Sequence, residues 1–181
     1  LSSTVAKPGD VTAVPRVSRM FYDSANRMVA TLDAAGYLTE TIYDAGGRAV
    51  KAIRYATLTN STYWANGTLT QLRPAANAAN DQTTRLFYNA RSQQIGMLDA
   101  EGHLTEFVYD EANNQRAVKS YAKRLTGLTG TETLATLRTS ATTGAPAEAF
   151  RLTQRSYNGL GQLVTELNHE GTVTRYSYDE A

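Results

Sequence analysis

The fold of this chain follows from one stretch that the sequence repeats. Residues 21–56 read FYDSANRMVATLDAAGYLTETIYDAGGRAVKAIRYA, and residues 87–122 read FYNARSQQIGMLDAEGHLTEFVYDEANNQRAVKSYA. A third, shorter copy, SYNGLGQLVTELNHEGTVTRYSYDEA, occupies residues 156–181. In each copy two Tyr residues stand 21 positions apart, and successive copies begin 66 to 69 residues apart. Spacing kept this strictly indicates a repeat protein, in which each unit packs against its neighbours.

Each copy contains a hairpin signal. The tetrapeptide Asp-x-x-Gly occupies residues 33–36 and 99–102, and Asn-x-x-Gly occupies residues 168–171. The Asp or Asn side chain can accept a backbone N–H two residues on, and Gly adopts the left-handed conformation that closes a hairpin. The residues that follow alternate between two faces, with Thr105, Phe107 and Tyr109 on one of them. We therefore predict a β-hairpin around each tetrapeptide.

A second turn follows each Tyr-Asp or Tyr-Asn pair. Four residues after the Tyr come Asn26, Gly47, Asn113 and Gly161, which tolerate positive φ, whereas Ser92 departs from this pattern. The repeated acids could instead form a carboxylate ladder for Ca²⁺, but their place before a Gly or Asn turn favours a capping role. The residues assigned to the structural repeat motif are Tyr22, Asp23, Asp33, Gly36, Tyr43, Asp44, Gly47, Tyr88, Asp99, Gly102, Tyr109, Asp110, Tyr157, Gly161, Gly171, Tyr178 and Asp179.

Two longer connections separate the copies, at residues 57–84 and 123–153. They align with each other, since Leu69, Leu72 and Arg73 in the first correspond to Leu134, Leu137 and Arg138 in the second. Leu at i and i+3 predicts a helix of about two turns in each, covering one face or edge of the sheet. Residues 129–132 (TGTE) fit a capping box that would begin the second helix. Residues 74–82 and 139–148 are rich in Ala, Asn and Thr and are predicted as loops.

The predicted fold is mainly β, with tandem antiparallel hairpins that form a continuous twisted sheet or a segment of a shell, and short helices in the two insertions. Six segments are expected. They are an incoming linker or partial repeat (1–18), the first repeat block (19–56), an insertion with a short helix (57–84), the second block (85–122), a second insertion with a short helix (123–153), and a truncated third block (154–181).

Composition excludes several classes of function. The chain has 181 residues, of which 41% are apolar, so it can bury a core. Lys and Arg number 18 against 17 Asp and Glu, so the chain lacks the basic excess typical of nucleic-acid binding. No apolar run approaches the roughly 20 residues of a membrane helix. There is no Cys, which removes disulfides, thiolate metal sites and Cys nucleophiles.

No residue constellation points to catalysis, to a cofactor or to a metal. His103 and His169 are the only histidines, and both lie in or beside a hairpin turn, whereas zinc needs several converging ligands. Glu40 and Glu106 occupy equivalent strand positions, but Arg175 takes that position in the third copy. A catalytic carboxylate would not be a repeat feature that reverses its charge. We therefore predict a protein that is not an enzyme.

The Tyr-Asp turns resemble the YD repeats of the Rhs family. The resemblance is carried by residues 22–27 (YDSANR), 43–48 (YDAGGR) and 109–113 (YDEAN), each about 20 residues from a partner turn. Related proteins include the C component of bacterial insecticidal toxin complexes and the teneurins of animals. The resemblance implies that consecutive hairpins form a long sheet that spirals into a hollow shell, which in the toxins encloses a toxic domain. It also implies a secreted or cell-surface location for a fragment of a larger bacterial protein.

Two roles therefore remain open, one structural and one in binding. The favoured one is a segment of a toxin-delivery shell, whose partners are the neighbouring repeats and an enclosed toxin domain. The alternative is a surface adhesin that binds glycan or protein through the insertions, with Tyr63 and Trp64 as candidate contacts, although packing of Trp64 against the sheet is the expected role. In either case we expect self-association through exposed sheet edges at high concentration.

Overall fold

The structure, a computed structural model, describes residues 18–145 and 149–179. The predicted incoming segment 1–18 therefore lies, apart from Ser18, outside the described residues. Eleven antiparallel strands in the described part follow one another in chain order in one open sheet, which confirms the prediction of a mainly-β chain of tandem hairpins. They are β1 (Arg19–Tyr22), β2 (Met28–Leu32), β3 (Leu38–Tyr43), β4 (Ala49–Arg54), β5 (Gln82–Tyr88), β6 (Gln94–Leu98), β7 (Leu104–Tyr109), β8 (Gln115–Tyr121), β9 (Phe150–Tyr157), β10 (Leu163–Leu167) and β11 (Val173–Arg175).

All eight turns between these strands share one geometry. In each, an Asp or Asn side chain accepts backbone N–H groups two and four residues on, as Asp33 Oδ1 does from Ala35 and Tyr37 at 2.9 Å each. The residue three positions after the Asx has positive φ in every case: Asn26, Gly36, Gly47, Ser92, Gly102, Asn113, Gly161 and Gly171. Ser92, which departs from the sequence pattern, adopts φ 61° all the same. Asn89 holds this turn through its bonds to the Arg91 and Gln93 N–H groups.

Two connectors link the three groups of strands. The first connector, residues 55–81 between β4 and β5, contains a 3₁₀ turn (Ser61–Tyr63) and the one-turn helix α1 (Leu69–Leu72). The second connector, residues 122–149 between β8 and β9, contains the nine-residue helix α2 (Leu134–Thr142). Strands β5 and β9 begin at Gln82 and Phe150, within the segments predicted as insertions. Neither helix is long and apolar enough to cross a membrane.

Helix boundaries correct two sequence-based expectations. The residues of the capping box predicted at 129–132 do not begin α2, whose N-cap is Thr133; Glu132 accepts from the Thr129 N–H but lies before the helix, where it also binds the Arg85 side chain. A capping box is present in α1, between Thr68 and Gln71. Residues 139–142, predicted as loop, belong to α2, because burial of Ala141 in the core stabilises a last turn that Thr-rich sequence favours only weakly. Residues 146–148 of that predicted loop lie outside the described residues.

The chain divides into two compact units. Among the described residues, one comprises 18–40 together with Arg54–Asp81, and the other comprises Thr41–Ile53 together with 82–145 and 149–179. Their cores have the same composition, since each centres on Leu residues from one hairpin and one helix. In the first unit these are Leu32, Leu38 and Leu72, and in the second Leu98, Leu104 and Leu137, all at most 3% exposed.

Candidate functional site

The first unit holds a cluster of three polar side chains around a buried carboxylate. Glu40 lies on β3 and is only 6% exposed. Its Oε2 atom accepts a hydrogen bond from the Tyr55 hydroxyl at 2.5 Å. The Arg73 guanidinium, at the C-cap of α1, donates to both carboxylate oxygens, with Nη2 2.6 Å from Oε1 and Nε 2.9 Å from Oε2. We call this the first Glu–Tyr–Arg cluster; it ties the end of α1 to the sheet.

The second unit repeats this arrangement. Glu106 lies on β7, is 3% exposed and accepts the Tyr121 hydroxyl at 2.8 Å. Arg138 of α2 donates from Nε at 2.7 Å and from Nη2 at 2.6 Å to Glu106 Oε1. These residues form the second Glu–Tyr–Arg cluster. Because burying a carboxylate is costly unless it is paired, the saturation of each Glu explains how a charge can lie in an otherwise apolar core.

Burial has the same effect on the tyrosines of the two clusters. Burial raises the pKa of Tyr55 to about 12, and its hydrogen bond to Glu40 adds to that effect. Tyr121 behaves alike, with burial and then Glu106 raising its pKa to about 12. Burial also acts to raise the pKa of Glu40, but the hydrogen bonds from Arg73 and Tyr55 outweigh it, and the pKa of that carboxyl lies below its ordinary value. Both Tyr hydroxyls are therefore donors at neutral pH, and Glu40 is ionised.

A second arginine side chain holds each connector just before its helix. In the first unit Arg19 Nη1 binds three backbone carbonyls, those of Tyr63, Trp64 and Gly67, the last at 2.8 Å. Gly67 directly precedes the N-cap of α1. Each connector thus has one Arg contact before its helix and a second one further along, from Arg73 at the C-cap of α1 and from Arg138 in the middle of α2.

The corresponding residue in the second unit is Arg85. It pairs with the Glu132 carboxylate at 2.8 Å and with the Glu132 carbonyl at 2.6 Å, directly before the N-cap of α2. Burial acts to raise the pKa of Glu132, but bonds from backbone N–H groups, including those of Thr129 and Gly130, lower it to about 2. Glu132 is therefore ionised at neutral pH and pairs with Arg85 as a carboxylate.

The alignment of the sequence copies paired several of these residues as equivalents, but it did not predict that they contact one another. It matched Glu40 with Glu106 and Arg73 with Arg138, but not the contacts among them. It missed the anchors Arg19 and Arg85 altogether. A signal was present, since each anchor stands three residues before the leading Tyr of its copy, and a Tyr follows each Glu by 15 residues.

Trp64 packs on the sheet in the first unit. A Cβ built on Gly36 would lie 2.2 Å from Trp64 Cζ2, so the indole covers the turn at 33–36. Its Nε1 donates to Thr59 Oγ1 at 2.7 Å, and that hydroxyl donates to the Gly36 carbonyl at 2.8 Å. The neighbouring Tyr63 contributes its carbonyl to Arg19. The indole N–H is thus engaged within the chain, and the ring is packed against the turn.

The other motif residues lie in turns and on strands. Asp23 and Asp44 cap their turns and also pair with Arg27 and Arg48, which, with the backbone N–H bonds, lowers the pKa of both carboxyls. Three YD tyrosines donate to backbone carbonyls: Tyr109 to Gln94, Tyr157 to Gln115 and Tyr178 to Leu163. Within residues 18–145 and 149–179, no three His, Asp or Glu side chains group closely enough to hold a metal ion.

Comparison with known proteins finds one matching family model and several solved structures with a similar fold. The RHS Repeat family model matches residues 157–181. No curated protein matches the sequence. Similar folds occur in crystal structures of TcdB2-TccC3-Cdc42 and TcdB2-TccC3, with TM-scores of 0.55 each and identities of 16% and 17% over 90% of this chain. The Photorhabdus luminescens Tc holotoxin pore, with a mutation in TccC3, gives 0.52 and 16% over 83%.

These matches confirm the recognition of Rhs-type YD repeats. The family model identifies one repeat directly, and the solved structures share the arrangement of tandem hairpins. At these identities the likeness concerns the fold. The chain spans only 5–7% of the length of the solved chains that it matches.

Proposed function

We propose that this chain is a structural, non-enzymatic segment of a large YD-repeat protein, forming part of the wall of a shell that encloses or delivers a toxin domain. The observation that carries the proposal is the strand order. Each strand is paired with its neighbours in sequence, from β1 to β11, so further copies extend the sheet without rearranging it. The fold shared with TcdB2-TccC3 over 90% of the chain supports this role.

The clusters suit a wall segment better than an active site. Both oxygens of Glu40 are bonded by Tyr55 and Arg73, which leaves no free carboxylate oxygen to act as a general base. In the second cluster the two oxygens of Glu106 are divided between Tyr121 and Arg138. Their role is to fasten the connectors to the sheet, so that long insertions do not loosen the wall.

Partners and location follow from the same proposal. The partners are neighbouring repeats of the same polypeptide and an enclosed toxin domain, and the place of action is outside the producing cell or on its surface. The outer edge of β11 is exposed at all three of its residues. Isolated segments should therefore associate through such edges, and sedimentation velocity should show a mass that rises with concentration.

The decisive experiment images the longest native polypeptide that carries this sequence. Electron microscopy of the purified protein should show a closed, hollow particle, and limited proteolysis should leave an internal fragment protected until the particle is opened by denaturant. A solid rod, an open sheet or a fragment cleaved as fast as the free domain would contradict the shell role. Deletion of the second connector should make the particle more sensitive to protease without abolishing the repeat fold.

A further inference from the structure

The turn between β9 and β10 differs from the other turns in the residue that follows its Asx. Asn158 begins this turn, and the next residue is Gly159. The other two turns that begin with Asn continue with Ala90 and His169. The backbone nitrogen that follows an Asn can attack the side-chain amide of that Asn, and a Cβ on the attacking residue hinders the approach. Glycine has no Cβ and the greatest backbone freedom, so Asn158 is the turn Asn most open to this reaction.

The turn also activates the side-chain carbonyl of Asn158. Its Oδ1 atom accepts the backbone N–H groups of Leu160 and Gln162, each at 3.0 Å. Attack on the carbonyl carbon Cγ would place negative charge on Oδ1, and two fixed N–H donors stabilise such a charge in the way that an oxyanion hole does. The leaving nitrogen, Nδ2, is bound to Gln162 Oε1 at 2.7 Å. The hydrogen bonds that shape the turn therefore favour attack on this amide.

The attacking nitrogen of Gly159 is accessible. Gly159 is exposed, and its N–H donates to no protein atom in the part of the chain that the structure describes. A Cβ built on it would meet no heavy atom within 4 Å, so a ring has room to form there. Exposure is a general property of these turn tips, since Ala90 and Arg91 are exposed between the neighbouring turns at 44–47 and 110–113.

The chain contains a second Asn-Gly pair in a different environment. Asn66 is exposed, but Gly67 is buried and its N–H donates to the Tyr63 carbonyl at 2.8 Å. A Cβ built on Gly67 would lie 2.4 Å from Tyr63 Cβ, so the backbone here is tightly packed. The same dipeptide thus has a free nucleophile in the β9–β10 turn and an engaged one in the first connector.

We propose that Asn158 is a site of spontaneous deamidation in the folded chain. The Gly159 nitrogen loses its proton to solvent base and bonds to Asn158 Cγ; the Cγ–Nδ2 bond breaks, and Nδ2 takes up a proton and leaves as ammonia. Water then opens the cyclic imide. Opening at Cγ gives Asp, which converts this Tyr-Asn turn into the Tyr-Asp turn found at residues 22–23 and 43–44. Opening at the main-chain carbonyl gives isoaspartate, which lengthens the backbone by one methylene group. The site does not depend on the shell role.

The test follows both Asn-Gly pairs in one sample. The full 181-residue chain is incubated at mildly alkaline pH, and peptide mapping by mass spectrometry measures the conversion of amide to acid at each Asn. Asn158 should convert at least about tenfold faster than Asn66 in the folded chain, because only Asn158 has a free nucleophile in position. In concentrated guanidinium chloride the two rates should become similar, since the fold no longer distinguishes the two pairs.

Two variants connect the rate to the turn. Gly159→Ala should slow conversion of Asn158 by about tenfold or more, and it should leave the melting temperature unchanged because the added methyl group has open space. Ala90→Gly, the reverse change in an equivalent turn, should make Asn89 reactive. Circular dichroism should show that both variants are folded.

Four results would each overturn the proposal. They are an Asn158 that stays an amide while the denatured chain converts, an Asn66 that reacts as fast as Asn158 in the folded chain, an unchanged rate in Gly159→Ala, and an unreactive Asn89 in Ala90→Gly.

Discussion

The two connectors fasten themselves to the sheet with different parts. The first has a helix of one turn and relies on the Trp64 indole, which covers Gly36. The second has a nine-residue helix whose Ala141 joins a core with Phe150, and its Leu125 carbonyl lies over Gly102, where a Cβ would be 2.3 Å from that oxygen. The equivalent turn glycine is thus covered by an aromatic side chain in the first unit and by backbone in the second.

What the connectors share indicates which contacts are essential. Both have a Glu–Tyr–Arg cluster, a fully buried helix Leu and an Arg anchor before the helix. The connectors differ in the length of the helix, in sequence and in packing. A common polar cluster with variable apolar surroundings suggests that the cluster sets the position of the connector, while the apolar contacts supply most of the stability.

The largest effect is expected at the shared Leu. Leu72→Ala and Leu137→Ala should each lower the free energy of unfolding by about 2–5 kcal/mol, because both side chains are fully buried. Urea denaturation measures this. Leu58→Ala and Leu128→Ala, at exposed positions of the same two connectors, are matched controls and should change stability little. A loss of stability at only one of the two buried positions would show that the two connectors do not contribute equally to stability.

Removal of the cluster Arg should come next. Arg73→Ala or Arg138→Ala leaves a buried carboxylate with only a Tyr hydroxyl as partner, at a cost of about 1–3 kcal/mol. Changing the Glu of the same cluster to Gln should recover part of this loss, because a neutral amide is easier to bury. Chemical denaturation of the single and double variants gives the coupling free energy. Strict additivity would show that the pair does not act as a unit.

The two connectors differ most clearly in what they pack against the turn glycines. Gly36→Ala and Gly102→Ala place a methyl group at φ 91° and 90°, which costs about 1–2 kcal/mol before any clash. At Gly36 the obstacle is a side chain, so adding Trp64→Ala should destabilise the Gly36→Ala variant less than it destabilises the parent chain. At Gly102 the obstacle is backbone, and no side-chain deletion should relieve it. Thermal melts of Gly36→Ala, Trp64→Ala, the double variant of these two and Gly102→Ala measure the four stabilities.

The smallest effect is a pH dependence in the first cluster. The pKa of Glu40 is lower in the folded chain than its ordinary value of 4.5, so its contribution to stability is present above that pH and disappears as the pH falls through the folded-state pKa. Acid should therefore loosen the first connector. Trp64 is the only tryptophan, so its emission reports on this connector. Glu40→Gln should flatten the change in emission below pH 4.5; an unchanged profile would exclude Glu40 as its source.

Much of the fold could be predicted because the repeat makes each signal recur. Asp33 and Gly36 identify a turn, and their reappearance at Asp99 and Gly102 removes the ambiguity of a single match. Ser92 shows the limit of this reasoning, since local preference disfavours positive φ for Ser while the capped turn imposes it. The helix ends were harder to predict, because the start of α2 depends on where Glu132 binds and its end on the burial of Ala141.

The sequence by itself determined the repeat period, the strand alternation and the turns, because these depend on residues a few positions apart. The two Glu–Tyr–Arg clusters were decided only by the tertiary structure. Their members are separated by 15 to 33 residues, and a carboxylate, a hydroxyl and a guanidinium are common surface groups. Folding buries the Glu and the Tyr and brings the Arg, which stays about half exposed, onto the carboxylate. Burial of the carboxylate strengthens its bonds to the hydroxyl and the guanidinium, and these bonds hold each connector on the sheet.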